Sequence, residues 1–246
     1  MTSNEKNRFV KVLGISFFNC SVLECIKEVR KGGLLVVPSA PGLATLDTDI
    51  AYAQSVRAAD FAIADSGFMT LCLHFAGKKA PKRISGLEFI RNLLEDPRFL
   101  SQDTVLWVLP NPQMKHSVSN LLSDRRSLLN NHRFYSAPTY KSTGAITDTA
   151  LVAECETLKP DWVVLAVAGG KQEKLGLSLS QSLSFNPSII CIGAAIAFET
   201  GDQASIPNWA DKMLLGWLVR IINNPKLYAP RYLAALRLAK IIVFSK

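Results

Sequence analysis

The chain predicts an α/β fold: a Rossmann-like, mostly parallel sheet flanked by helices, followed by a C-terminal helical basic appendage. Short apolar runs alternate with longer amphipathic ones, the pattern of a parallel sheet whose crossovers are helices. The run from Trp162 to Val167 is apolar on both parities and wants both faces covered, as the interior of an α/β sheet allows. Beyond Gly201 the strand signal stops, and from Gly216 to Lys246 six basic side chains and no acid are threaded among apolar ones.

Taken in order, the apolar run Val10–Phe17 predicts a strand and the amphipathic stretch Ser21–Lys31 a helix. Strand Leu34–Val37, helix Thr48–Ala58, strand Phe61–Asp65 and helices Gly67–Ala76 and Leu87–Leu94 follow. Strand Thr104–Leu109 leads to helices Met114–Leu129 and Ile146–Leu158, and strand Trp162–Val167, helix Gln172–Ser184 and strand Ile189–Ile192 complete the sheet. Residues 1–205 are read as this domain and residues 206–246 as the appendage. There, Pro207 and Trp209 open a helical stretch, Asn223-Asn224-Pro225 interrupts it, and a second helix runs to Phe244. Helical spacing puts Leu233, Leu236 and Ile241 near one side of that helix, with Arg237 and Lys240 elsewhere. Its deletion from about Asn223 is expected to leave the sheet folded, because the core strands lie earlier.

Composition excludes several classes. With 48% hydrophobic and 20% charged residues over 246 positions, the chain buries a substantial core and is not disordered. Its five cysteines (Cys20, Cys25, Cys72, Cys155, Cys191) are scattered and never form a CxxC pair, which suggests core thiols in a reducing compartment rather than a disulfide framework or a zinc site. His74, His116 and His132 are isolated, so no metal site is expected. No GxSxG elbow is present. The N-terminus lacks a signal-peptide h-region and no stretch approaches about 18 apolar residues, which fits a cytoplasmic protein peripheral to a membrane. Six of the eight units of net charge lie in the tail. An acid-free basic and apolar segment suits a polyanionic surface, and without an aromatic platform, helix-turn-helix or zinc motif the anionic membrane is preferred to nucleic acid. An exposed tail of this kind also fits burial in a homo-oligomer until membrane is met.

Ligands in open α/β sheets bind beyond the carboxyl ends of the strands, where four clusters stand. In Pro38-Ser39-Ala40-Pro41-Gly42, small residues permit close approach and Ser39 offers a hydroxyl, although a plain turn reads identically. In Asp65-Ser66-Gly67, a carboxylate at a strand end suits a general base, the competing reading being a helix N-cap. In Lys82-Arg83-Ile84-Ser85-Gly86, Ser85 caps the next helix while Arg83 contacts a phosphate, the competing reading being plain surface charge. In Ala168-Gly169-Gly170-Lys171-Gln172-Glu173, two glycines before a helix expose backbone N–H groups and Lys171 adds charge, so a nucleotide diphosphate could rest there. Gln172 and Glu173 either cap that helix or bind a sugar or base.

Read together, these clusters resemble the WecG/TagA/CpsF family of bacterial glycosyltransferases, over most of the chain from about Gly33 to Tyr232. Ala64-Asp65-Ser66-Gly67 is similar to the family's Asp-Gly motif and Arg83…Gly86 to its Arg…Gly-Thr-Asp segment. Gly169-Gly170-Lys171-Gln172-Glu173 is similar to Gly-x-Pro-Lys-Gln-Glu, and Gly193-Ala194-Ala195…Phe198…Gly201 to Gly-x-Gly-x-x-Phe…Gly. Pro207…Trp209…Trp217…Arg220…Pro225…Arg231-Tyr232 matches the closing region.

The resemblance implies inverting transfer of a hexose, N-acetylmannosamine-like or other, from a UDP-sugar to a polyprenyl-diphosphate-linked acceptor in cell-surface polysaccharide biosynthesis, without a metal or other cofactor. It implies Asp65 as catalytic base, with Ser39, Ser66, Gly67, Arg83, Gly86, Gly169, Gly170, Lys171, Gln172, Glu173 and Arg220 as substrate-binding positions. It implies a basic appendage, carrying Lys226, Arg231, Arg237 and Lys240, that docks on the inner face of the cell membrane and covers the active site. The departing UDP would be held by N–H groups near Gly169–Gln172 and by a cation such as Arg83, Lys171 or Arg220. Pro38-Ser39-Ala40 stands where the family has Thr-x-Asn, Gly86-Leu87-Glu88 replaces Gly-Thr-Asp, and Gly216 replaces a Glu. These departures motivate an alternative, a non-catalytic relative that binds a nucleotide-sugar or lipid-linked sugar as a partner or regulator. A more distant reading is a basic Rossmann-like protein that binds nucleic acid.

Overall fold

The computed structural model describes residues 8–125, 129–193, 195–201, 216–223 and 225–244. Its first element corrects the sequence expectation. Val10–Phe17 is not one strand but a hairpin of β1 (Phe9–Val12) and β2 (Ile15–Phe18), antiparallel and in register Val12 to Ile15. The turn is Leu13-Gly14, with φ of 53° and 82°. Two successive positive φ values match the right-handed twist of a tight hairpin, and Gly14 adopts one without a steric penalty. Apolar residues on both sides of Gly14 masked the reversal.

Helix α1 (Val22–Val29) starts with a reciprocal capping box between Ser21 and Glu24. Strand β3 (Gly33–Val36), the short α2 (Ala40–Leu43), α3 (Ile50–Ala58), β4 (Phe61–Ala62), α4 (Gly67–Phe75) and α5 (Gly86–Leu93) come next. Then follow α6 (Pro97–Ser101), β5 (Val105–Leu109), α7 (Pro112–Asp124), a 3₁₀ turn at Leu129–Asn131 and β6 (His132–Ser136). Helix α8 (Thr149–Leu158), β7 (Trp162–Leu165), α9 (Gln172–Ser182), β8 (Ser188–Cys191) and α10 (Ala195–Glu199) complete the sheet region. The described C-terminal residues form α11 (Gly216–Asn223) and α12 (Pro225–Phe244).

The sheet has eight strands in the order β1-β2-β4-β3-β8-β7-β5-β6, and all pairings except β1 with β2 are parallel. Every residue of β3, β5, β7 and β8 is buried, as two covered faces require. Leu34, Val36, Val163 and Leu165 point into one core with residues of α3, α8 and α9, while Leu35, Trp107, Trp162 and Val164 point into the other with residues of α1, α5 and α7. Strand β6, His-Arg-Phe-Tyr-Ser, escaped the sequence reading because an edge strand need not be apolar. It is held by a full parallel ladder with β5 and by Trp107, whose Nε1–H donates to His132 Nδ1 at 3.0 Å.

Helix α12 packs on α2 and α4. Its buried side is Ala235, Leu238 and Ile242, all members of the first core, whereas Leu233 and Leu236 are 66% and 55% exposed. This corrects the expected Leu233, Leu236 and Ile241 side. Several apolar stripes compete on this helix, and its packing on α2 and α4 selects the one that carries Ala235, Leu238 and Ile242. Lys78 Nζ donates to the carbonyl of Ile242 at 2.6 Å, and Arg237 pairs with Asp47. The tail therefore contributes three fully buried side chains to the first core. Pro207, Trp209 and the 205/206 boundary lie outside the described residues. Among the described residues no helix is long and apolar enough to cross a membrane.

Candidate active site

The strand order brings the carboxyl ends of β4, β3, β8 and β7 side by side, and three of the four sequence clusters gather there around one carboxylate. Past the end of β4, Ala64 forms a parallel bridge with Arg83, so the chain is still extended when it reaches Asp65. The Asp65 side chain is partly buried and its Oδ1 accepts from the Gly86 N–H at 2.9 Å. Arg83 Nε donates to the Asp65 carbonyl at 3.1 Å. The helix cap that competed for Asp65 falls instead to its neighbour: Ser66 is buried and its Oγ accepts from Met69 N–H at 3.1 Å. Gly67 is the first residue of α4. Ser85 caps α5 by accepting from Glu88 N–H at 3.0 Å, which makes Gly86 the first helical residue.

Gly86 is enclosed. A Cβ there would lie 3.3 Å from Val37 Cγ1, 3.5 Å from Ala195 Cβ and 3.9 Å from Asp65 Oδ1. Val37 follows β3 and Ala195 opens α10, so the carboxylate sits where three strand ends converge. Ser39, two residues beyond Val37, is exposed and caps α2 weakly, its Oγ 3.4 Å from Gly42 N. Val37 was read only as the end of a strand and Ala195 only as part of the Gly193…Gly201 segment, since apolar residues beside a strand end carry no chemical signal of their own.

In the fourth cluster three N–H groups have internal partners: Gly170 N–H donates to Glu173 Oε2 at 2.7 Å, and the N–H groups of Lys171 and Gln172 lie 3.1 and 3.2 Å from the carbonyl of Ala168. Glu173 is therefore a cap that folds back over the glycine turn. It is buried, and desolvation pushes its carboxyl up from the ordinary value, opposed by hydrogen bonds from its own N–H, Gln172 and Gly170. Gln172 is a brace as well. Its Oε1 accepts from Gly193 N–H at 2.7 Å and its Nε2 donates to the Cys191 carbonyl at 3.2 Å, which ties the start of α9 to the end of β8. Lys171 Nζ donates to the Tyr140 carbonyl at 2.6 Å. Gly169 keeps open space around it, as does Gly170 with φ 83°.

Lys174, which the sequence reading passed over, is 1% exposed and bonds Asp49 Oδ2 at 2.6 Å and the Ser142 carbonyl at 3.0 Å. With Lys171 it pins the segment after β6 against α9. A lysine flanked by Leu175 and Leu177 was the available signal. Behind this segment, Tyr135 and Tyr140 hydroxyls both donate to Asp148, and burial foremost pushes the Tyr135 phenol up to about 12.

Helix α12 rests on α2 and α4, the helices that directly follow Ser39 and Asp65-Ser66, so the tail adjoins the site. Lys226 and Lys240 are exposed, and Arg237 is half-exposed in its pair with Asp47. Arg220 and Arg231 stand on α11 and α12, and their side-chain placement lies outside the described set. Ile222, Leu233, Leu236, Val243 and Phe244 add exposed apolar surface beside these cations.

A pocket of about 160 Å³ lies at the opposite ends of the strands. Its cations are already held by carboxylates, Arg30 by Asp96 and Asp103, Arg98 by Asp103 and Lys159 by Glu156, and it is remote from the four clusters. Among the described residues no group of three His, Cys, Asp or Glu is arranged around a metal position.

A family model described as the glycosyl transferase WecG/TagA/CpsF family matches residues 10–246, a span that includes the Asp65 crevice and the tail helices. No curated protein matches the chain.

Proposed function

Because this chain belongs to the WecG/TagA/CpsF family of glycosyltransferases, we propose that it moves a hexose from a UDP-sugar to a polyprenyl-diphosphate-linked acceptor during assembly of cell-surface polysaccharide. The observation that carries the reading is the Asp65 carboxylate at the end of a parallel strand, anchored through Oδ1 by Gly86 and with no hydrogen bond on Oδ2 among the described residues.

In the proposed reaction Asp65 takes the proton of the acceptor hydroxyl as its oxygen attacks the anomeric carbon. The bond from that carbon to the diphosphate breaks, its electron pair leaves with UDP, and the configuration inverts. A positioned general base of this kind is worth roughly 10²–10⁴-fold in rate. Since the N–H groups of Gly170, Lys171 and Gln172 are used internally, stabilisation of the departing diphosphate falls in this reading to Arg83 and to Arg220 on α11, without a metal. Gly169 and Gly170 serve by leaving room.

The tail supports a location at the cytoplasmic face of the membrane. Exposed Lys226 and Lys240, with Arg237 and the apolar row of Leu233, Leu236 and Phe244, form a surface suited to an anionic leaflet, at about 1 kcal/mol per basic residue. Because α12 abuts α2 and α4, docking would bring the lipid-linked acceptor beside Asp65.

A second reading, a non-catalytic relative that binds nucleotide-sugar or lipid-linked sugar, is favoured by Pro38-Ser39-Ala40 beside the crevice and by the self-capped turn at Gly170. Calorimetric titration with UDP, with and without EDTA, tests both. Metal-independent binding supports a UDP-sugar site, and transfer to a lipid-linked acceptor then separates enzyme from binding protein. Absence of UDP binding overturns the first reading and leaves of the second only a binder of lipid-linked sugar.

A further inference from the structure

We propose that Gly86 is a positioning residue: its backbone N–H fixes Oδ1 of Asp65 and so dedicates Oδ2 to the acceptor proton. The inference deepens the functional reading and rests on Asp65 as the base.

Three contacts lock the end of β4 to the segment entering α5. Ala64 bridges Arg83, Arg83 Nε donates to the Asp65 carbonyl at 3.1 Å, and Gly86 N–H donates to Oδ1 at 2.9 Å. The last is set by helix geometry. At the first position of α5 the N–H has no acceptor within the helix, and the Ser85 cap spends its oxygen on Glu88 N–H. The Gly86 donor is thus committed to the carboxylate, whose charge also suits a helix N-terminus. A hydrogen bond to an ionised acceptor is stronger than a neutral one, and it holds one oxygen without consuming the other. An added Cβ at Gly86 would stand 3.3 Å from Val37 Cγ1, which must give by a few tenths of an ångström, and in ordinary contact with Ala195 Cβ at 3.5 Å. In the reaction the acceptor O–H proton passes to Oδ2 while Oδ1 stays on Gly86.

Two substitutions bear on the N–H. Gly86→Ala keeps it and adds a Cβ, and Gly86→Pro adds a similar Cβ and puts the ring Cδ where the hydrogen pointed, so that it both removes the donor and crowds Oδ1. Proline is well tolerated at the first helical position, and Ser85, at φ −78° and ψ 152°, already has the extended backbone that a following proline requires. The probe is the Asp65 carboxyl carbon resonance by carbon-13 NMR at one pH, assigned by its loss in Asp65→Asn. We expect it to move in Gly86→Pro and to stay near its wild-type position in Gly86→Ala. Equal movement in both, or movement in neither, overturns the proposal. The amide of Gly86 is also read in Asp65→Ala, which separates the hydrogen bond from crowding by the proline ring and stands alone if Gly86→Pro does not fold. Its proton resonance should shift upfield by more than those of Leu87 and Glu88, and an unmoved resonance is fatal.

Turnover, followed as UDP release from a UDP-N-acetylhexosamine, should lose about tenfold or more in kcat in Gly86→Pro relative to Gly86→Ala, with KM unchanged, as expected when a general base is displaced. Equal kcat in the two variants overturns the role. The resonance decides the positioning and UDP titration decides the reading beneath it, so the two failures are told apart.

Discussion

Gly170 donates its N–H to the carboxylate of Glu173 at 2.7 Å, so the glycine turn before α9 is closed by the helix's own first turn. Burial pushes the Glu173 carboxyl up from 4.5. A raised folded-state value means that this group's contribution to stability is present in full below the unfolded value and is lost as pH rises through the folded one. Glu173→Gln should therefore gain in melting temperature relative to wild type as pH rises above 4.5, and a difference independent of pH would contradict the assignment.

Asp65→Asn should reduce turnover by about 10²–10⁴-fold while UDP affinity in calorimetry stays within about threefold, since the base acts on the acceptor. Unchanged turnover removes Asp65 from the mechanism.

The packing of the tail and its proposed membrane docking make separate predictions. Leu238→Ala, at a fully buried position, should cost about 2–5 kcal/mol by thermal or denaturant unfolding. Truncation before Pro225 should likewise lower the melting temperature. Substitution of exposed cations, as in Lys226→Ala with Lys240→Ala, should leave the melting temperature alone and weaken sedimentation with anionic liposomes by about tenfold or more, at about 1 kcal/mol for each charge. Full liposome binding by that double variant would confine the tail to a structural role.

His132 accepts from Trp107 Nε1 through Nδ1, which leaves its proton on Nε2, 3.4 Å from the Leu100 carbonyl. Burial pushes the imidazole down from 6.5, against that carbonyl. Its lowered value means stability present above 6.5 and lost as pH falls below it. His132→Phe should be less stable at pH 8, by about 1–3 kcal/mol for the unsatisfied Trp107 donor, yet should lose less on acidification to pH 5. Parallel pH curves for the two proteins would rule this out.

Much of the fold was legible. Strands such as Trp162–Leu165 declare themselves because a segment buried on both faces must be apolar at every position. The helix start at Ser85 was readable because a hydroxyl before a helix has one evident use, whereas the cap at Ser66 had been weighed for its neighbour Asp65. β6 and the Leu13-Gly14 reversal were not, for the first is an edge and the second is a turn hidden in an apolar run. In the tail, Ala235 lies buried where Leu233 was expected, since periodicity finds a stripe but not the surface that selects it.

By itself the sequence determined the α/β class, the strand ends at which chemistry could gather, and the likeness to a glycosyltransferase family, all of which depend on local pattern and motif. Only the tertiary structure decided that Gly86 reaches Asp65, that Gln172 reaches Gly193, and that Glu173 accepts from the N–H of Gly170. The physical reason is that hydrogen-bond partners across a strand end depend on which strands lie side by side. The order β4-β3-β8-β7 is a property of the assembled sheet, to which no single segment of the chain testifies.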